Sequence, residues 1–270
     1  MTLRRLSLAL APLALTGLLA ACEPGSGAPD LFTANTGTAP GTSLGDRLAA
    51  SGDLASAAAA YAQEAESAGN PLARARAYEK LGDVLLDADQ PRQAIGAFRE
   101  ALAARPDLAS AEEGLGVAFI RAGEPDAALP HLTAASSRGL PSAYSALGVA
   151  HDLLSQPEQA LAAYDRGLVL DPGNLDLLTN KGISLALSGR HGEAYQTMRP
   201  AADSVFSTPR HRLNLVMVVA MSGRLDLAQQ EGALMRLPPA EVSEAIALGQ
   251  RVSSTGAGNR QDILTLLTRR

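Results

Sequence analysis

A self-similarity with a period near 34 residues constrains this chain more than any other feature. Leu44-Gly45, Leu81-Gly82, Leu115-Gly116 and Leu147-Gly148 recur at steps of 37, 34 and 32, and Lys181-Gly182 and Leu215-Val216 continue the series at steps of 34. Thirteen residues after the first member of each pair stands an alanine: Ala57, Ala94, Ala128, Ala160, Ala194 and Ala228. Four residues further on comes a larger column of Tyr61, Phe98, Leu132, Tyr164, Met198 and, degenerately, Gly232. Turn formers separate the first two columns: Gly52, Asp89-Gln90-Pro91, Gly123-Glu124-Pro125, Ser155-Gln156-Pro157, Gly189 and Gly223. On both sides of each turn apolar residues recur at three- and four-residue intervals, as in Leu81, Val84, Leu85 and then Ala94, Ala97, Phe98, Ala101, which is the spacing of one helix face. Breakers such as Arg105-Pro106-Asp107 and Asp171-Pro172-Gly173-Asn174 divide one unit from the next. A small residue where paired helices cross lets their backbones approach, and a large one four positions on shares its face and is expected to fill the groove of the next unit.

These columns resemble the tetratricopeptide repeat, over residues 38 to 242 in six units. The resemblance implies an all-α fold, a superhelix of stacked helix-turn-helix units over residues 41–237. One unit alone cannot bury its apolar face, so stacking makes the core continuous. A three-residue insertion near Asn70-Pro71-Leu72 lengthens the first unit, and the last two units lose the Leu-Gly signature. After the array, Pro238-Pro239-Ala240-Glu241 starts a helix with Val242, Ala245, Ile246 and Leu248-Gly249 on one side, read as a cap over residues 238 to 251 within a C-terminal segment 238–270. Residues 253–259 read as a loop and 261–267 as another short helix.

The N-terminal segment is of another kind. Arg4 and Arg5 precede an apolar stretch from Leu6 to Ala21, the layout of a secretory signal and shorter than the ~20 apolar residues that a bilayer span needs. The only cysteine, Cys22, ends it, and Leu19-Ala20-Ala21-Cys22 resembles the lipobox of bacterial lipoproteins. That resemblance implies a signal peptide over residues 1–21 and a mature chain that begins at a lipidated Cys22. Acyl chains contribute roughly 0.8 kcal/mol per buried methylene, so several of them hold a protein firmly on a membrane. Glu23 at the next position is compatible with sorting to the outer membrane, with the repeats facing the periplasm. Residues 22–40, rich in Gly, Pro, Ser and Thr, read as a flexible tether. Loss of Arg4 and Arg5 with the signal takes the net charge from −5 to about −7. No basic cluster with interleaved aromatics points to nucleic acid.

A search for catalytic chemistry finds no constellation. His131, His151, His191 and His211 are scattered over different units with no metal-ligand spacing, and read as surface or turn histidines. Adjacent carboxylates such as Glu112-Glu113 point apart on a helix and read as solvated faces. The chain is therefore expected to be no enzyme, with no metal, no small-molecule substrate and no cofactor beyond the covalent lipid. A repeat array offers a concave surface instead, lined by the first helix of each unit. By resemblance to the repeat family this surface includes Asp83, Leu86, Val117, Ile120, Val149, Asp152, Ile183, Met217 and Met221, on which an amphipathic helix or extended peptide could lie.

Residues 208 to 230 (TPRHRLNLVMVVAMSGRLDLAQQ), residues 237 to 250 (LPPAEVSEAIALGQ) and residues 188 to 202 (SGRHGEAYQTMRPAA) resemble the last repeats and cap of the TadD lipoproteins of the tight-adherence (Flp) pilus system. This implies an outer-membrane adaptor for pilus assembly whose partner is the pilus secretin or another Tad component. The alternative is a periplasmic scaffold lipoprotein that recruits peptidoglycan enzymes or proteases.

Overall fold

The computed structural model describes residues 42–255; the expected signal, Cys22 and tether, and the short helix expected at 261–267, lie outside them. Among the described residues all regular structure is helical, and no helix is long and apolar enough to cross a membrane. Six antiparallel pairs follow one another: α1 (Leu44–Ala50) with α2 (Leu54–Ser67), α3 (Pro71–Asp87) with α4 (Pro91–Ala104), α5 (Ala109–Arg121) with α6 (Pro125–Ser137), α7 (Pro141–Leu153) with α8 (Pro157–Leu170), α9 (Leu175–Leu187) with α10 (His191–Asp203), and α11 (Pro209–Met221) with α12 (Leu225–Leu234). A last helix, α13 (Pro239–Thr255), covers the end. It runs past the expected cap, so Ser253, Ser254 and Thr255 are helical rather than loop.

Local chemistry sets the boundaries. Proline occupies the first turn of α3, α4, α6, α7, α8 and α11, where its missing N–H costs no hydrogen bond. Asn70 and Asn174 cap α3 and α9, each side chain accepting from a backbone N–H three residues on. The turn inside every unit places one residue in the left-handed region: Gly52, Gly123, Gly189 and Gly223 in four units, Asp89 (φ 56°) and Ser155 (φ 58°) in the other two. That conformation lets a backbone N–H beyond the helix reach back to its last turn, as Gln90 does to the Leu85 carbonyl at 2.8 Å and Gln156 to that of His151 at 2.9 Å. The insertion at Asn70-Pro71-Leu72 becomes extra helix: α3 has 17 residues where the first helices of the next four units have 13.

The columns meet within one unit rather than between units. A Cβ on Gly82 would stand 2.6 Å from Phe98 Cζ, and one on Gly116 would stand 2.5 Å from Leu132 Cδ2. Gly45, Gly148 and Gly182 face Tyr61, Tyr164 and Met198 as tightly. Each large side chain thus lies flat on the glycine sixteen residues before it, which corrects the expectation that it fills the next unit. Phe98 does both, since it also lies against Gly114 of the following unit. Phe98, Leu132 and Tyr164 are fully buried, as is the alanine column, so close packing leaves no room for a methyl group at the crossing. From unit 2 onward most of these layers run into one core that ends in Val242, Ala245, Ile246, Leu248 and Val252 of α13, while Ala160 and Tyr164 of unit 4 form a separate cluster with Leu177 of unit 5.

Candidate functional site

The first helices of successive units stand side by side and form the inner wall of the superhelix. A cavity of about 280 Å³ opens on this wall across units 3 to 6. Val117 and Ile120 of α5 and Ala146 and Val149 of α7 form its apolar floor; Glu113, Ser142, Ser145, Asn180, Asp176 and Arg210 supply its polar rim. The repeat explains why these residues converge. Glu113 and Ser145 each lie three residues before the glycine column, and Val117 and Val149 one residue after it. Stacking turns equal register into adjacent position.

The rim is cross-linked. Ser142 Oγ donates to Glu113 Oε2 at 2.9 Å, and Asn180 Nδ2 donates to Ser145 Oγ at 3.0 Å. Arg210 pairs with Asp176, which also lies 3.1 Å from His211 Nε2. Arg121 Nη1 donates to the Leu86 carbonyl at 2.6 Å and ties α5 to α3. Burial, with the negative charge of Glu79 nearby, raises the Glu113 carboxyl above the usual range, against the pull of the Ser142 hydrogen bond. Asn214, in the register of Asn180 one unit later, is buried with no hydrogen-bond partner for Nδ2 among the described residues.

The residues expected to line the concave surface divide into two sets. Val117, Ile120 and Val149 line the cavity, and Asp83 is exposed on α3. Leu86, Asp152, Ile183 and Met217 are buried outside the cavity and Met221 at a separate recess beside α13, which corrects their placement on this surface, whereas Ile120 and Val149, although as buried, reach the cavity. Asp152 accepts from Tyr164 Oη at 2.8 Å and Ser184 Oγ at 2.6 Å, so it binds units 4 and 5 together. Burial pushes its carboxyl up to about 7. Met217 and Met221 lie under α13, which reaches the backbone of α11 at Gly249: a Cβ there would stand 2.5 Å from the Met217 carbonyl oxygen. Val252 and Ser253 of α13 line a recess together with Met221 of α11 and Ala186 and Leu187 of α9.

Several polar residues also sit differently from the sequence expectation. Glu112 and Glu113 are both half-buried; Glu112 lies 2.7 Å from His131 Nδ1, and the His131 ring stacks on Phe119. His211 is buried between Thr208 and Asp176 rather than exposed. The rim residues Ser142, Ser145, Asn180 and Arg210 were not singled out from the sequence, because no motif marks them. Their fixed offsets from the glycine column are the signal that finds them.

The tetratricopeptide-repeat family model matches residues 42–109, 79–141 and 114–174 in overlapping windows. No curated protein sequence matches the chain. Among solved structures, pilF of Pseudomonas aeruginosa aligns with a TM-score of 0.58 at 21% identity, over 76% of this chain and 94% of its own. A thermophilic tetratricopeptide-repeat protein of Thermus thermophilus aligns with a TM-score of 0.57 at 22% identity, over 65% of this chain and 98% of its own. MamA aligns with a TM-score of 0.50 at 25% identity, over 58% of this chain and 92% of its own. Stacked pairs, glycine crossings and these matches agree, and the chain belongs to the tetratricopeptide-repeat proteins.

Proposed function

We propose that the array is a non-enzymatic adaptor that holds a segment of a partner polypeptide on its inner wall. Tetratricopeptide repeats are generally scaffolds that bind protein partners, and the observation that carries the reading here is the cavity across units 3 to 6. Its floor of Val117, Ile120, Ala146 and Val149 suits apolar anchors of a peptide, and its rim offers hydroxyl, amide and carboxylate groups for backbone and polar side chains. The finer reading is an outer-membrane lipoprotein, lipidated at Cys22, that assists assembly or localisation of the Flp pilus secretin. The likeness of residues 188–202, 208–230 and 237–250 to the TadD lipoproteins supports it.

Two experiments test the reading at its two levels. Replacing Val117 and Ala146 by Arg is expected to abolish capture of the secretin or another Tad component while circular dichroism stays helical. Deleting the gene is expected to remove secretin multimers and Flp pili; normal multimers and pili in the deletion strain would sink the pilus reading. Capture of peptidoglycan enzymes or proteases with no secretin would support the scaffold alternative instead.

A further inference from the structure

Two charged groups on the cavity wall have no counter-ion among the described residues, and both belong to α5. Glu113 accepts from Ser142 Oγ, and the neighbouring charge that acts on its carboxyl is that of Glu79, another carboxylate. Arg121 donates one N–H to the Leu86 carbonyl and pairs with no carboxylate among these residues, although a guanidinium has five such donors. Asp176 and Arg210, the other charges of the lining, neutralise each other. Glu113 and Arg121 stand about 12 Å apart along α5, with Val117 and Ile120 between them. From the C-terminal end of α5 the wall thus presents a base, an apolar floor and an acid.

Beyond α13 the sequence continues with the opposite order, GAGNRQDILTLLTRR over residues 256–270. Wound as a helix, Asp262, Ile263, Leu266, Arg269 and Arg270 fall within about 120° of one face, and Asp262 stands about 12 Å from Arg270. Acid, apolar residues and base on that face match base, apolar floor and acid on the wall at the same spacing. The segment also starts within reach. Val252 and Ser253, near the end of α13, share a recess with Gly189 and His191 at the α9–α10 turn, so the chain leaves α13 on the edge of the within-unit turns, where α5 ends in Arg121. From α9, α7 and then α5 follow side by side, a distance of two helix spacings, about 16–20 Å. Residues 256–261, with two glycines, span about 20 Å when extended.

We infer that residues 262–270 fold back in cis and occupy the cavity, with Asp262 on Arg121, Ile263 and Leu266 on the floor of Val117 and Ile120, and Arg269 and Arg270 on Glu113 and Glu79. This rests on the reading of the inner wall as a peptide-binding surface and names how that surface is regulated. A short linker holds its segment at an effective concentration of order mM, so a segment that binds on its own at about 100 µM fills the cavity in about nine chains of ten. A partner has to displace it, and carries the same order of acid, apolar anchors and base.

The test compares residues 40–270, one compact unit, with residues 40–255, which keep the whole of its core. The probe is a labelled synthetic peptide of residues 256–270, and fluorescence anisotropy reads its binding. The peptide is expected to bind 40–255 about tenfold more tightly than 40–270, where the cis copy competes. Arg269→Glu with Arg270→Glu in the peptide is expected to weaken binding about tenfold, and Glu113→Arg in 40–255 to restore most of it. Ile263→Ser with Leu266→Ser in 40–270 is expected to raise its affinity for the parent peptide to that of 40–255. Failure of the peptide to bind 40–255, equal binding by the two parent chains, or charge reversal in the peptide without effect overturns the inference. So does a dimer of 40–270 in sedimentation equilibrium that 40–255 does not form, because the segment then fills the cavity of a second copy. Equal capture of the partner by both chains, abolished in each by Val117→Arg with Ala146→Arg, removes this inference alone and leaves the peptide-binding reading standing.

Discussion

Asp152→Asn is expected to make the array more stable as the pH rises from 5 to 8, relative to the parent. Asp152 is 5% exposed, and both of its hydrogen-bond donors, Tyr164 and Ser184, are uncharged. Burial raises its carboxyl to about 7, whereas an unfolded chain titrates near ~3.9. Between those values the folded state holds a proton that the unfolded state has released, so stability falls as the pH rises. The contribution is complete below about pH 4 and is lost once the pH passes 7. Linkage at about 1.4 kcal/mol per pH unit sets a ceiling of about 4 kcal/mol for the whole window and about 3 kcal/mol between pH 5 and 8. Asn keeps the shape, accepts from Ser184 or Tyr164 through Oδ1 and does not titrate, so it removes this slope. Asp46 does not confuse the comparison: Lys80 and Tyr61 hold its carboxyl down at about 2, so its stabilising effect is lost only as the pH falls through that value. Urea unfolding followed by circular dichroism at several pH values measures the difference between variant and parent. A difference that stays flat from pH 5 to 8, or shrinks, refutes the reasoning.

Three further sets of substitutions probe the packing. Gly82→Ala would bring a Cβ against the fully buried Phe98 ring and is expected to cost about 1–3 kcal/mol, whereas Gly96→Ala, with open space around it inside α4, is expected to gain about 0.5–1 kcal/mol; urea midpoints distinguish the two. Ser155→Gly relieves a side chain held at φ 58° and is expected to stabilise by about 1 kcal/mol in the same assay. Glu231→Ala removes a buried acceptor of Arg199 at 2.5 Å and Tyr195 at 2.7 Å and is expected to cost about 1–3 kcal/mol. The exposed Arg190–Glu193 pair is the control, and its loss is expected to leave the unfolding curve unmoved.

How much of this was legible in the sequence follows from which interactions are local in register. The glycine, alanine and large-residue columns could be read because each repeats a single steric demand: Phe98 needs Gly82 to lack a methyl group, and Tyr164 needs the same of Gly148. The turns could be read for the same reason, although Asp89 and Ser155 show that the left-handed position tolerates residues other than glycine. The inner wall was only half legible. Val117 and Val149 face the cavity, while Ile183, in the same register on α9, is fully buried. The exposure of a first-helix residue depends on what lies beside it: α9 is packed by α7, α8, α10 and α11, and at the end of the array α13 lies on α11. Gly249 carries the information: without a side chain there, α13 closes onto the backbone of α11 at Met217 and Met221, both of which are buried. A glycine in the cap, read alone, does not reveal which helix it touches, and so two methionines that look like an adaptable binding surface are core. The open part of the wall is the cavity that starts at units 3 and 4, where the polar Ser142, Ser145 and Glu113 stand beside Val117 and Val149.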